Sequence, residues 1–144
     1  MIKKNPFVKN RQGFTVENSK LTLLMGDEDR PQIKRLTAVL EEYFPPAITL
    51  NTVSGEVFRR FPEPDLVILT DTLQYAVHTP VALRNHFPNA RFLALFDRVE
   101  PEMERVLRCV GTLFLGSYES FYTFSQTIIE TLVAAQCRLT QPII

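Results

Sequence analysis

The 144-residue chain is 45% hydrophobic and 22% charged, which fits one compact domain with a single core and excludes a disordered, collagenous or membrane-embedded class. Sixteen Lys and Arg against sixteen Asp and Glu leave no net charge, so no chain-wide field draws it to nucleic acid or anionic lipid. Apolar runs such as 92–96 fall far short of the roughly 20 residues of a membrane span, and the first residues lack a signal-peptide core, so a cytoplasmic protein with no membrane partner is expected.

Residues 1–20 carry Lys3, Lys4, Lys9, Arg11 and Lys20 against Glu17, a net +4 that leaves −4 on the rest. Five cations spread over this length form no dense patch, so the segment reads as a basic flexible leader and the domain itself as one that binds no nucleic acid. Five short runs rich in β-branched and aromatic residues then predict strands at 21–25, 48–53, 66–70, 91–96 and 112–115. Between them, Ile33, Leu36, Val39, Leu40 and Tyr43 form one apolar stripe opposite Lys34, Arg35, Glu41 and Glu42, an amphipathic helix. Further helices are predicted at 55–61, 80–87, 101–110 and 120–136, the second and third with proline in the first turn. Strands nearly continuous in apolar character, alternating with helices, imply a parallel sheet buried on both faces by right-handed crossovers.

Ligands of such sheets sit outside the carboxyl ends of the strands. The first strand is followed by Gly26-Asp27-Glu28-Asp29 and the third by Thr70-Asp71-Thr72, so carboxylates suited to Mg2+ can converge on one corner. Alternatively, the acids before Pro31 begin the next helix and favour its positive end. Five glycines, at 13, 26, 55, 111 and 116, give no dinucleotide or P-loop cradle. His78 and His86 lack metal-like spacing to Cys109 or Cys137, and no serine lies in a nucleophile elbow.

The run Leu21-Thr22-Leu23-Leu24-Met25-Gly26-Asp27-Glu28, followed by Pro64-Asp65-Leu66-Val67-Ile68-Leu69, resembles the receiver domain of bacterial response regulators over about residues 21–138. The resemblance implies a flavodoxin-like (βα)5 doubly wound fold with strand order 2-1-3-4-5, with 139–144 as a tail or the start of a linker. In that family an acid pair after strand one and an aspartate after strand three hold Mg2+, and that aspartate takes a phosphoryl group from a histidine kinase. A Ser or Thr after strand four and a Lys after strand five contact the phosphoryl oxygens. Asp27 and Glu28 match the acid pair.

The remaining positions depart from the pattern. Lys34 is the last lysine of the chain, and no Ser or Thr lies between Thr79 and Thr112, so strand four ends in Phe96-Asp97. Counting from Pro64-Asp65 puts Thr70 at the acceptor position and Asp71 one residue later, on the opposite face of a strand. Phosphoryl transfer depends on positioned charge, and losing one such donor typically costs about 3 kcal/mol or more. The expectation is therefore a non-catalytic pseudo-receiver without a cofactor, acting through protein contacts, as in the front half of a LuxR-type transcription regulator. The alternative is a degenerate working receiver phosphorylated on Asp71, with Mg2+ held by Asp27, Glu28 and Asp71.

On a helical wheel, the apolar residues of 121–137 cover an arc of about 220°, wider than one sheet face uses. The surplus edge, Tyr122, Ile129, Val133 and Cys137, predicts a homodimer or a regulatory protein partner. The competing possibility is that the leader, or the 71–79 loop with Leu73, Tyr75 and Val77, covers it.

Overall fold

A computed structural model describes residues 21–43, 47–52, 58–128 and 130. The leader 1–20, the tail 139–144 and residues 55–57 of the helix predicted at 55–61 lie outside them. The elements are β1 (Thr22–Met25), α1 (Pro31–Tyr43), β2 (Ala47–Leu50), β3 (Leu66–Thr70), α2 (Thr79–His86), β4 (Arg91–Leu95), α3 (Pro101–Cys109), β5 (Thr112–Gly116) and α4 (Tyr118–Thr123). All ladders are parallel and the strand order is β2-β1-β3-β4-β5, as the resemblance implied.

The two-residue alternation of a strand sorts the core into two layers. Leu23, Met25, Val67, Leu69, Phe92 and Ala94 face one side and pack against Leu83 of α2, Phe87 just after it, and Met103 and Leu107 of α3. Leu24, Ile68, Leu93 and Leu95 face the other and meet Ile33, Leu36 and Leu40 of α1 and Phe121 of α4. β1 and β3 are buried along their whole length, which is why they read as uninterrupted apolar runs. Among the described residues no helix is long and apolar enough to cross a membrane.

Pro80 and Pro101 sit in the first turns of α2 and α3, where a missing amide hydrogen costs nothing. Beyond α3 the chain turns into β5 through Gly111 at φ 78°, a left-handed conformation that glycine adopts without strain. Arg84 ties the amino-terminal edge of the sheet together. Its guanidinium donates to the carbonyls of Val110 (2.9 Å), Ala90 (2.6 Å) and Pro88 (3.2 Å) and lies 4.1 Å above the centre of the Phe92 ring.

The last helix departs from its predicted form. It starts at Tyr118 rather than 120, because the Ser117 side chain accepts the Ser120 amide (3.1 Å) and caps it. Its first segment ends at Thr123, and Phe124, with φ −110° and ψ 18°, stands between it and the helical residues 125–128. A continuous wheel puts Phe124 inside the apolar arc, yet its side chain is 57% exposed while Phe121 is fully buried. The buried face itself continues, since Phe121 and Ile128, seven residues apart, both pack in the same layer, and Phe124 lies beside it.

Candidate functional site

The carboxyl ends of β1, β3, β4 and β5 meet at one edge of the sheet, where the predicted site residues converge only in part. Asp27 serves its own loop: its Oδ1 accepts the Asp29 amide (3.0 Å) and its Oδ2 lies 3.5 Å from Arg30 Nε. This is a local loop turn ahead of α1, whose own first turn carries no acid. Glu28 points elsewhere, into a hollow of about 250 Å³ lined with Asn51, Thr52, Arg60 and Phe61.

Thr70 is the last residue of β3 and fully buried. Its Oγ1 donates to the Met25 carbonyl (2.7 Å) and lies 2.8 Å from Thr72 Oγ1, which accepts the Asp27 amide (2.9 Å). A hydroxyl has a single hydrogen, so Thr72 must be the donor to Thr70. The result is a relay from the Asp27 amide through Thr72 and Thr70 to the Met25 carbonyl, which stitches the loops after β1 and β3 together. The Tyr75 hydroxyl donates to the same carbonyl (3.1 Å) and accepts the Thr70 amide (3.4 Å). Burial pushes the Tyr75 phenol well above its usual range. Gly26 is needed beside this relay, since a Cβ there would lie 2.9 Å from Ile33 Cδ1 and 3.0 Å from Thr70 Oγ1.

Asp71 bridges two other elements through its carboxylate. One carboxylate oxygen accepts the Tyr118 hydroxyl (2.8 Å) and the other accepts the Asp97 amide (2.8 Å). Tyr118 is 3% exposed, and burial followed by the bond to Asp71 drives its phenol strongly upward, so it stays protonated and donates. Beyond β4, the Phe96 ring packs against Tyr75 with centroids 6.2 Å apart. β5 ends at Gly116, where even a Cβ would meet the Phe114 ring at 2.8 Å.

The Mg2+ set of the alternative reading, Asp27, Glu28 and Asp71, does not assemble: among the described residues no three His, Cys, Asp or Glu side chains come together to hold a metal ion. Asp27 is tied to its own loop, Glu28 lines the hollow, and the two Asp71 oxygens each accept an internal donor. These residues do not fit the ion.

The predicted docking edge is also revised. Tyr122 is packed on α1, its hydroxyl donating to the Gln32 carbonyl (3.2 Å) and its ring lying 3.9 Å beneath the Arg35 guanidinium. Arg35 in turn pairs with Glu119 (3.3 Å). Tyr122 thus finds its cover inside the domain, which a helical wheel drawn for one helix cannot show. Leu73 and Tyr75 pack in the opposite layer, with α2 and α3, so the 71–79 loop does not shield α4 through them. Ile129, Val133 and Cys137 lie outside the described residues. Counting residues missed the hydroxyls of Thr72, Tyr75 and Tyr118; the signal was the run Thr70-Asp71-Thr72 with Tyr75 close behind, hydroxyls where carboxylates were sought.

No protein-family model and no curated protein matches the sequence. Solved structures do match. The N-terminal domain of a response regulator/sensory box/GGDEF three-domain protein from Carboxydothermus hydrogenoformans is similar with a TM-score of 0.66 at 19% identity, over 85% of this chain and 100% of that one. A Burkholderia pseudomallei response regulator with a phosphorylated aspartic acid, a calcium ion and citrate gives 0.57 at 15% identity, over 87% and 77%. A LuxR-family two-component response regulator from an Aurantimonas species gives 0.57 at 15%, over 79% and 87%. The fold is that of a response-regulator receiver domain.

Proposed function

We propose that this chain is a two-component signalling module of receiver type that works without phosphorylation, as a regulatory protein-interaction and dimerisation unit. Thr70 carries the proposal: the residue that ends β3 is a buried threonine whose hydroxyl is already spent on the Met25 carbonyl (2.7 Å). Asp71, one residue on, accepts two internal donors, and β5 ends at Gly116, which brings no side chain to the edge. Phosphoryl transfer needs fixed positive charge at the transferring oxygens, and this edge supplies phenol, hydroxyl and amide donors instead.

The likeness to a LuxR-family regulator supports a place in transcription regulation, with residues 21–138 as the module. Docking through the edge of the last helix falls to Ile129, Val133 and Cys137. A cytoplasmic, non-enzymatic role follows from the same reading.

Incubation with acetyl phosphate and Mg2+, followed by intact mass measurement of the protein and its Asp71→Asn variant, tests it. The expected result is no added phosphoryl mass on either. A phosphoryl adduct on the parent that vanishes in the variant would restore Asp71 as a phosphoacceptor and overturn the proposal.

A further inference from the structure

We propose that Asp71 is a latch: its carboxylate ties the loop after β4 to the start of α4 and holds that helix in its docked position. The inference concerns a contact made at rest, so it stands apart from whether Asp71 can be phosphorylated. Its two oxygens bridge elements distant in sequence, the Asp97 amide on one side and the Tyr118 hydroxyl on the other, each at 2.8 Å.

The other polar ties of α4 are weaker in kind. Arg35–Glu119 is a pair of exposed side chains, screened by water, and Tyr122 to the Gln32 carbonyl is a neutral bond at 3.2 Å. The Tyr118 bond ends on a carboxylate in a mostly buried setting, where such bonds are strongest. α4 spans six residues, too short to hold itself helical without tertiary contacts, so its position follows what anchors it. Tyr118 and Phe121 supply apolar anchorage to the layer shared with α1, and Asp71 supplies the directional one.

Asp71 is itself only half-buried, so the latch can be reached from solvent while its partner ring cannot. A competing donor from a partner that takes the carboxylate frees the Tyr118 hydroxyl and with it α4. A change at the end of β3 is thereby passed to the α4 surface, where Phe124 is exposed.

Amide hydrogen exchange followed by NMR on the whole chain, without Mg2+ or phosphodonor, tests the latch. Tyr118→Phe keeps the ring and removes one bond. Asp71→Asn keeps one acceptor oxygen and places an NH2 group against the other donor. Both variants should speed exchange at the Phe121 and Phe124 amides roughly tenfold or more, the change that losing one charge-assisted bond gives. The core amides of β1 and β3 should keep their parent rates, and the double variant should add little to Tyr118→Phe alone. Parent rates at Phe121 and Phe124 in Tyr118→Phe would overturn the latch, and so would equal acceleration across β1 and β3, which would mark a general loss of stability. Because the readout is exchange rather than mass, its failure is distinct from a phosphoryl adduct on Asp71.

Discussion

Replacing Thr70 with valine removes the central hydroxyl of the relay and keeps its shape, its β-branch and its fit to a strand. Two bonds go: the one to the Met25 carbonyl (2.7 Å) and the one shared with Thr72 (2.8 Å). Met25 keeps Tyr75 as a donor at 3.1 Å, and Thr72 is only half-buried, so neither is left without a route to a partner. The loss is then that of two ordinary neutral bonds at about 1 kcal/mol each, giving about 1–2 kcal/mol. Urea unfolding should show a lower midpoint at unchanged slope, and the melting temperature should fall by about 2–6 °C. A cycle with Thr72→Val isolates the shared bond, and a coupling near 1 kcal/mol is expected because the two hydroxyls touch. A Thr70→Val stability within about 0.3 kcal/mol of the parent, or strictly additive single changes, would refute the relay as a stabilising link between the loops after β1 and β3.

Arg84→Met keeps the apolar stem over Phe92 but strips the Val110, Ala90 and Pro88 carbonyls of their shared donor, and should cost about 3 kcal/mol in urea unfolding. Arg84→Lys should recover little of it, since an ammonium cannot reproduce the guanidinium fork. The buried phenols of Tyr75 and Tyr118 predict alkaline instability. Both are held protonated in the fold, whereas an unfolded tyrosine ionises near about pH 10. Above that pH the unfolded chain binds fewer protons than the native one, so stability is full below it and falls as pH rises. The urea midpoint should hold steady to about pH 9 and drop beyond about pH 10, and tyrosinate absorbance should rise with unfolding rather than before it.

The alternation of apolar runs with amphipathic segments was enough to place five strands and the helices described at 31–43, 79–86 and 101–109, because burial on both faces leaves a strand almost wholly apolar, as in β1 and β3. The absence of any lysine beyond Lys34 is likewise a property of composition, true in whatever way the chain folds. Single-helix geometry failed at Tyr122, whose surplus apolar edge is covered by Gln32 and Arg35, ninety and eighty-seven positions away in the chain. It failed again at Phe124, which the wheel places in the apolar arc and the structure leaves 57% exposed where the first helical segment ends. What only tertiary structure decided is the use of each acid and hydroxyl at the carboxyl edge. Asp27 and Asp71 share a side-chain type, yet one caps its own loop and the other bridges Asp97 and Tyr118. Those partners come from different strands, and the direction of a hydrogen bond between them is set by where the sheet brings the strand ends to rest.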